Sequence, residues 1–143
     1  MKFTFILDKG REEETVVYAH EKTELVEKIE RIISDATQTL IGYSETQVIK
    51  LQADEVCCFT VEDNKIYALT DKEKLQLKCR LYNLEDTLSD SFIKINKSCI
   101  ANLKMIDRFS ADFSGALKVT FKNGYTEYVS RRNIKNVKER LGL

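Results

Sequence analysis

Hydrophobic and polar positions alternate in short runs over most of the chain, which is the pattern of β-strands. The first two runs are residues 2–7 and 15–19, and a turn at Asp8, Lys9 and Gly10 follows the first of them. They predict an N-terminal β-hairpin. From residue 23 to residue 37 the apolar positions recur at spacings of three and four, which predicts an amphipathic helix. Residues 34–45 are rich in turn-forming types and are predicted to be a junction.

After this junction the pattern is again mostly that of strands. The predicted strands are 48–51, 56–61, 65–70, 75–79, 92–95, 103–109, 116–121 and 125–129. One short helix is expected around residues 81–88, and a second runs from Ser130, the predicted N-cap, to the C-terminus. The sequence therefore predicts a mainly β, α+β protein with an N-terminal segment, residues 1–45, and a domain, residues 46–143.

The formal net charge is zero, but the charges are unevenly divided along the chain. Residues 92–143 contain 11 basic and 4 acidic side chains, a balance of +7, so the first 91 residues carry −7. Such an asymmetry favours a basic surface that binds a polyanion. Charge alone leaves open the alternative of a solvated surface with chance clustering.

The composition argues against several other classes of function. Cys57, Cys58, Cys79 and Cys99 have no Cys-x-x-Cys spacing and His20 stands apart, so we expect buried thiols and no metal site. We found no glycine-rich phosphate loop and no nucleophile beside a histidine, so we expect neither catalysis nor a cofactor. No apolar run reaches the roughly 18 residues of a membrane span, and the N-terminus lacks a signal-peptide pattern. A cytoplasmic location is predicted.

Two basic segments stand at predicted strand ends, where side chains can reach a ligand. The first contributes Lys94, Asn96, Lys97 and Ser98, and the second contributes Arg131, Arg132 and Asn133. Long cations neutralise phosphates, and Asn, Ser and Arg can also form hydrogen bonds to phosphates or base edges. Periodicity alone does not separate a nucleic-acid site from two solvated polar turns.

The order of these motifs resembles the LytTR family of DNA-binding domains. The similarity lies in the run from Phe92 to Asn102, then Met105-Ile106, the Asn123-Gly124 turn and Val129-Ser130-Arg131-Arg132 before the last helix. It covers about residues 46–143. The resemblance implies a fold of short antiparallel sheets that inserts loops into successive major grooves at repeat sites.

The resemblance also implies roles for individual residues. Asn96, Lys97 and Arg132 stand where the family reads bases, Ser98 stands at a phosphate contact, and a loop contact falls near Lys65. Many members carry histidine at the position of Asn96, which leaves the base preference open. The expected partners are duplex DNA and a second copy of the chain.

The 45 residues before the domain are too few for the receiver domain that usually accompanies it, so the chain resembles stand-alone regulators, whose genes often accompany a small membrane protein. Residues 1–44 carry 6 basic and 9 acidic side chains, which disfavours DNA contact and points to dimerisation or docking of a partner. The alternative function is a protein-interaction module that docks a membrane or signalling partner.

Overall fold

A computed structural model describes residues 1–37 and 39–142, and the elements lying within them are mainly β-strands. The strands are β1 Thr39–Tyr43, β2 Val48–Gln52, β3 Cys58–Glu62, β4 Lys65–Leu69, β5 Lys74–Leu77, β6 Phe92–Asn96, β7 Cys99–Asn102, β8 Ile106–Ala111, β9 Leu117–Phe121 and β10 Thr126–Val129. The helices are α1 Glu24–Thr37, α2 Leu81–Thr87 and α3 Arg131–Arg140. The predicted fold class is confirmed.

The strands form two antiparallel sheets. The large sheet has the order β2-β1-β5-β4-β3-β7-β6, and the small sheet has the order β10-β9-β8. A first cluster of buried side chains includes Phe59 and Leu84 and so joins the large sheet to α2. A second includes Ile95, Phe121 and Val137 and joins the large sheet to the small sheet and α3. The large sheet is therefore covered on both faces, with its turns left at its ends.

The N-terminal hairpin prediction is wrong for the chain as it stands. Residues 1–23 contain no strand, although a turn does form where Gly10 N–H donates to Asp8 Oδ1 over 2.9 Å. Every residue from 1 to 25 is exposed. An isolated two-stranded hairpin buries too little surface to be stable in water, and no element within the described residues covers this segment. The helix that follows is present, and Thr23 Oγ1 accepts from the Val26 amide at its start.

The predicted junction at residues 34–45 is also partly wrong, because it contains β1. This strand lies between β2 and β5, so the large sheet includes part of the segment predicted as residues 1–45. Its Gly42 suggested a turn. A Cβ at Gly42 would lie 2.8 Å from side-chain atoms of Leu51 and Leu75, so the glycine instead allows close packing within the sheet.

The sequence pattern did not reveal β7. All four of its residues are buried, so it shows no alternation of polar and apolar positions. The strand predicted at 103–109 begins later, at Ile106, because Leu103–Met105 forms a turn of 3-10 helix. The Asn123-Gly124 turn joins β9 to β10 as predicted, with Gly124 at a φ of +87°.

Candidate nucleic-acid interface

Three chain segments meet at one end of the large sheet: the β3–β4 turn, the β6–β7 turn and the junction of β10 with α3. The Val61 amide donates to the Ser98 carbonyl over 2.9 Å, and the Ser130 amide donates to the Ile95 carbonyl over 2.9 Å. These bonds connect each outer segment to the β6–β7 hairpin. We call the resulting surface the loop end, and it comprises residues 62–65, 96–98 and 128–133.

Local backbone chemistry explains why these turns project. Asp63 and Asn64 both have positive φ values, 50° and 63°, and these two residue types tolerate the left-handed conformation that a tight hairpin turn requires. The β6–β7 turn is also only two residues long, Lys97 and Ser98. The pairing of β6 with β7 shifts register between Lys94 and Asn96, and such a bulge redirects the side chains that follow it.

Asn96 connects two parts of the loop end with its side-chain amide. Its Nδ2 donates to the Tyr128 carbonyl over 2.8 Å, and its Oδ1 accepts from the Ser98 amide at 2.9 Å and the Ser98 hydroxyl at 3.1 Å. The β6–β7 turn is thereby held against the last residues of β10. One N–H of the Asn96 amide has no partner among the described residues.

The junction of β10 with α3 presents two arginines. Arg131 and Arg132 are exposed in the first turn of α3. Ser130 occupies the predicted N-cap position, but its side chain makes no bond to a helix amide. Its hydroxyl instead accepts from Asn133 Nδ2 over 2.7 Å. Asn133 therefore holds the junction, and the open amides of the first helical turn favour an anion there.

The exposed cations of the loop end have no competing acidic partner. Within residues 1–37 and 39–142, no ion pair involves Lys97, Arg131 or Arg132. Lys97 is exposed at the tip of its turn. Since an unpaired cation costs less to bring to a phosphate than one that must leave a carboxylate, these three residues are suited to bind a polyanion.

Two further predicted site residues have different surroundings. Lys94 lies on β6, and its Nζ is 3.5 Å from Glu85 Oε1 of α2, so it is not part of the loop end. Lys65 begins β4 beside the β3–β4 turn and lines a shallow cleft of about 280 Å³ with Lys78 and Arg80. Sequence reasoning missed Lys78 and Arg80, because their position beside Lys65 depends on the pairing of β4 with β5.

One polar residue of the sequence motif belongs to the interior rather than to the surface. Asn102 is completely buried, and its Nδ2 donates to the Val56 carbonyl over 2.9 Å while its Oδ1 accepts from the Lys104 amide at 3.1 Å. It satisfies backbone groups that the chain buries where β7 ends. The motif thus combines a surface for a ligand with its internal support.

The thiols lie in the core clusters rather than in a site, Cys57, Cys58 and Cys99 in the second cluster and Cys79 against the first. Cys57, Cys58 and Cys99 are buried, as expected, whereas Cys79 is half-buried. A hydrogen bond with Cys99 and burial raise the pKa of the Cys58 thiol, which favours the uncharged form. The described residues contain no group of three or more His, Cys, Asp or Glu side chains that could hold a metal ion.

The fold and the loop end together define a class of protein in which two antiparallel sheets carry turns with exposed cationic side chains. No helix within the described ranges is long and apolar enough to span a membrane. The family model of the LytTr DNA-binding domain matches residues 46–142. The chain belongs to the LytTR family.

Several individual proteins are similar to the chain. The chain is 32% identical over 141 residues to a protein of Staphylococcus aureus strain MSSA476 named as an uncharacterized HTH-type transcriptional regulator, with 97% of this chain and 96% of the relative covered. A relative of the same description from strain NCTC 8325 is 30% identical over 146 residues, covering 100% and 99%. A solved LytTr DNA-binding domain from Bacillus cereus shares the fold with a TM-score of 0.70 and 22% identity, over 75% of this chain and 99% of that one.

Proposed function

We propose that the protein is a transcriptional regulator that binds specific duplex DNA by inserting the loop end into the major groove at repeat sites. The observation that carries this proposal is the Asn96 bridge. It fixes the β6–β7 turn against the β10–α3 junction, while Lys97 on the first and Arg132 on the second remain exposed. Two separately anchored turns thus act as one rigid surface for reading DNA.

The surroundings of each side chain suggest its role. Arg132 is the residue suited to grip guanine through two parallel hydrogen bonds, and Lys97 brings a positive charge to the groove. Asn96 has one amide N–H left for a base edge or a phosphate. Arg131, Ser98 and Lys65 are positioned to contact phosphates along the same end, with Lys78 and Arg80 extending that path. Asn133 supports the junction through its bond to Ser130. Lys94 can contact DNA only if its ion pair with Glu85 breaks.

The arrangement of the helices also supports reading by turns. Strands separate α1, α2 and α3 in the described chain, so no helix there is followed directly by a second one across a tight turn. A helix-turn-helix reader needs such a pair, with the second helix lying in the groove. The relatives are named HTH-type regulators, but the unpaired cations of the loop end, Lys97, Arg131 and Arg132, lie on a turn and at the start of a helix.

The proposal is tested by the salt dependence of DNA binding. Lys97→Ala removes one unpaired cation of the loop end, so the slope of log affinity against log salt should fall by about one unit. Affinity is measured by fluorescence anisotropy over a range of salt concentrations, on a duplex first selected from random sequences with the unsubstituted protein.

The matched control is Lys72→Ala. Lys72 is also exposed in a hairpin turn of the large sheet, but the β4–β5 turn lies at the end opposite the loop end. This variant should keep the slope of the parent protein. Equal slopes for the parent and both variants would contradict the proposed interface, and failure to select any duplex sequence would contradict specific DNA binding.

A further inference from the structure

The loop between β8 and β9, residues 112–116, lies at the same end of the molecule as the loop end. Val129, the last residue of β10, pairs with Leu117 at the start of β9, and Leu117 pairs with Ala111 at the end of β8. The residue after Val129 is Ser130, which belongs to the loop end. Because adjacent strands are about 4.8 Å apart, the β8–β9 loop begins within about 10 Å of this junction.

Hydrogen bonds within the β8–β9 loop fix its conformation. Asp112 Oδ1 accepts from the Ser114 amide over 2.9 Å, from the Ser114 hydroxyl and from the Ala116 amide over 3.1 Å. The Asp112 carbonyl accepts from the Gly115 amide over 3.0 Å, and Gly115 has a φ of +82°, which glycine adopts without strain. A side chain on this loop can therefore meet a ligand without the entropic cost of ordering the loop.

Phe113 stands at the tip of this ordered loop and is fully exposed. Its relative exposure, 113%, is the highest among the large hydrophobic side chains of the described residues, and it belongs to neither core cluster. Single exposed apolar residues are common on protein surfaces. Phe113 differs because the fold fixes its loop beside a surface of unpaired cations. Its ring is thus available to a ligand that also binds the loop end.

The charges around Phe113 favour a polyanion as this ligand. Asp112 is the acidic residue of the loop, and the hydrogen bond from the Ser114 hydroxyl, the loop amides and the charge of Lys118 lower the pKa of its carboxyl. The same bonds and the same cation offset its negative charge. The two arginines of the neighbouring junction are exposed and have no ion-pair partner among the described residues. The surroundings of the ring are therefore suited to phosphates.

The residues beside Phe113 argue against a protein or a lipid surface as the ligand. A protein interface has a core of several apolar side chains, and binding to a lipid surface also grows with the apolar area buried. Phe113 instead stands between Asp112 and Ser114. A single ring among polar groups fits a ligand that is mostly polar and presents isolated apolar groups. Duplex DNA is such a ligand, because the C5-methyl group of thymine stands among polar base edges in the major groove.

We propose that Phe113 contacts the C5-methyl group of a thymine in the major groove, next to the bases that Arg132 contacts. The contact adds a specificity-determining position, because the other three bases have no methyl group there. This inference rests on the proposed function, since it requires the loop end to lie in the major groove. Insertion of the ring between base pairs is less suitable, because the loop has no second large apolar side chain to cover the opened step.

Replacing single thymines by uracil tests this contact with the unsubstituted protein. Uracil lacks the C5-methyl group but keeps the hydrogen-bonding groups of thymine. At one thymine of the selected duplex, outside the position that Arg132 reads, the replacement should weaken binding about three- to tenfold, as expected for the loss of one buried methyl group. Fluorescence anisotropy with each singly substituted duplex measures the change.

The variant Phe113→Ser identifies the side chain responsible. It should bind the thymine duplex about three- to tenfold more weakly than the parent protein does, and it should bind the thymine and uracil duplexes equally at that position. Phe3→Ser is the matched control, because Phe3 is 89% exposed and lies outside both sheets. This control should keep the parent ratio of thymine to uracil affinity.

Two results would overturn the inference. The parent protein could bind every uracil-substituted duplex as tightly as the selected one, or Phe113→Ser could keep the parent sensitivity at every thymine. In either case a reduced salt slope for Lys97→Ala would show that the loop end still binds DNA, so the two proposals can fail separately. Failure to select any duplex sequence would overturn both.

Discussion

Residues 2–7 and 92–96 have similar strand-forming sequences, but only the second segment is a strand. Both contain phenylalanine and isoleucine among polar residues. Residues 92–96 form β6, which pairs with β7 and contributes Phe92 to one core cluster and Ile95 to the other. Residues 2–7 pair with nothing described in the chain and are exposed throughout. An alternating pattern therefore specifies a strand and its apolar face, but it does not specify the partner that completes the sheet.

The two segments also differ in how their neighbouring turns are held. The β6–β7 turn has hydrogen bonds to β3 and β10 in addition to its own hairpin. In residues 1–23, which we call the arm, the bonds of the turn are local, because Gly10 and Arg11 both bond to Asp8. Order at the loop end thus depends on bonds between segments distant in sequence, whereas the bonds described for the arm connect residues close in sequence.

The largest expected difference between the two regions is in stability. Phe59 is completely buried on β3, and its ring centroid lies 5.7 Å from that of Phe92. Phe59→Ala should lower the free energy of unfolding by about 3–5 kcal/mol through lost burial and a cavity. Phe3→Ala should change it by less than about 0.5 kcal/mol, because Phe3 is exposed. Urea unfolding monitored by circular dichroism measures both.

The exposure of Phe3, 89%, is the reason for the small loss expected for Phe3→Ala. If the loss for Phe3→Ala were as large as that for Phe59→Ala and independent of concentration, the arm would have to pack on its own domain, and the comparison drawn above would fail.

Sequence reasoning found the elements whose partners are close along the chain. The Asn123-Gly124 hairpin and helices α1 and α3 follow from local turn and helix signals. It failed for β7, whose four residues are all buried and so show no alternation, and for β1, where Gly42 in a turn-rich segment suggested a junction. It also failed for the arm, where the pattern was present but the described residues provide no partner strand.

The candidate site was predictable as a set of residue types but not as a geometry. The resemblance to the family identified Asn96, Lys97 and Arg132. It did not reveal that the Asn96 amide forms three hydrogen bonds within the protein, because Ser98 and Tyr128 approach it only after β6 and β10 have packed. Its function as a base reader remains a prediction, now limited to one N–H.

The next largest expected effect is on DNA binding, and it concerns the Asn96 hydrogen bonds that join two turns of the loop end. Arg132→Ala should weaken binding to the selected duplex by about 1–3 kcal/mol. If Asn96 acts mainly by holding the turn against the junction, Asn96→Ala displaces Arg132 and loses part of the same contact. The double variant should then lose at least about 0.5 kcal/mol less than the sum of the single losses.

A control cycle isolates this coupling. Asn96→Ala combined with Lys72→Ala should be additive within about 0.3–0.5 kcal/mol, since Lys72 lies at the opposite end of the sheet. Additivity in both cycles would show that Asn96 contacts DNA independently of Arg132. The bridge would then be a structural bond without influence on reading.

The smallest expected effect is on the free energy of unfolding at alkaline pH, and it distinguishes the half-buried Tyr125 from the exposed Tyr18. Burial, and then the hydrogen bond of its hydroxyl to Glu127 Oε2 at 3.0 Å, raise the pKa of Tyr125 above the ordinary value of 10.0. Above pH 10 the unfolded chain therefore releases this proton while the folded chain retains it, so stability present at lower pH is lost as the pH rises. The hydrogen bond of Cys58 with Cys99 and the burial of Cys58 raise the pKa of this thiol and add a loss of the same sign from about pH 9, since the ordinary thiol pKa is 9.0.

Tyr125→Phe removes the tyrosine's share of this loss. After allowance for partial exposure, the variant should lose roughly 0.5 kcal/mol less than the parent between pH 9 and pH 11. Urea unfolding at several pH values in this range gives the slopes, and Tyr18→Phe in the arm is the matched control, with the slope of the parent. If Tyr125→Phe showed the same slope of stability against pH as the parent protein, the Tyr125 hydroxyl would be as accessible to solvent as the side chains of the arm. In that case the small sheet would be packed more loosely than the burial of Phe121 and Val129 implies.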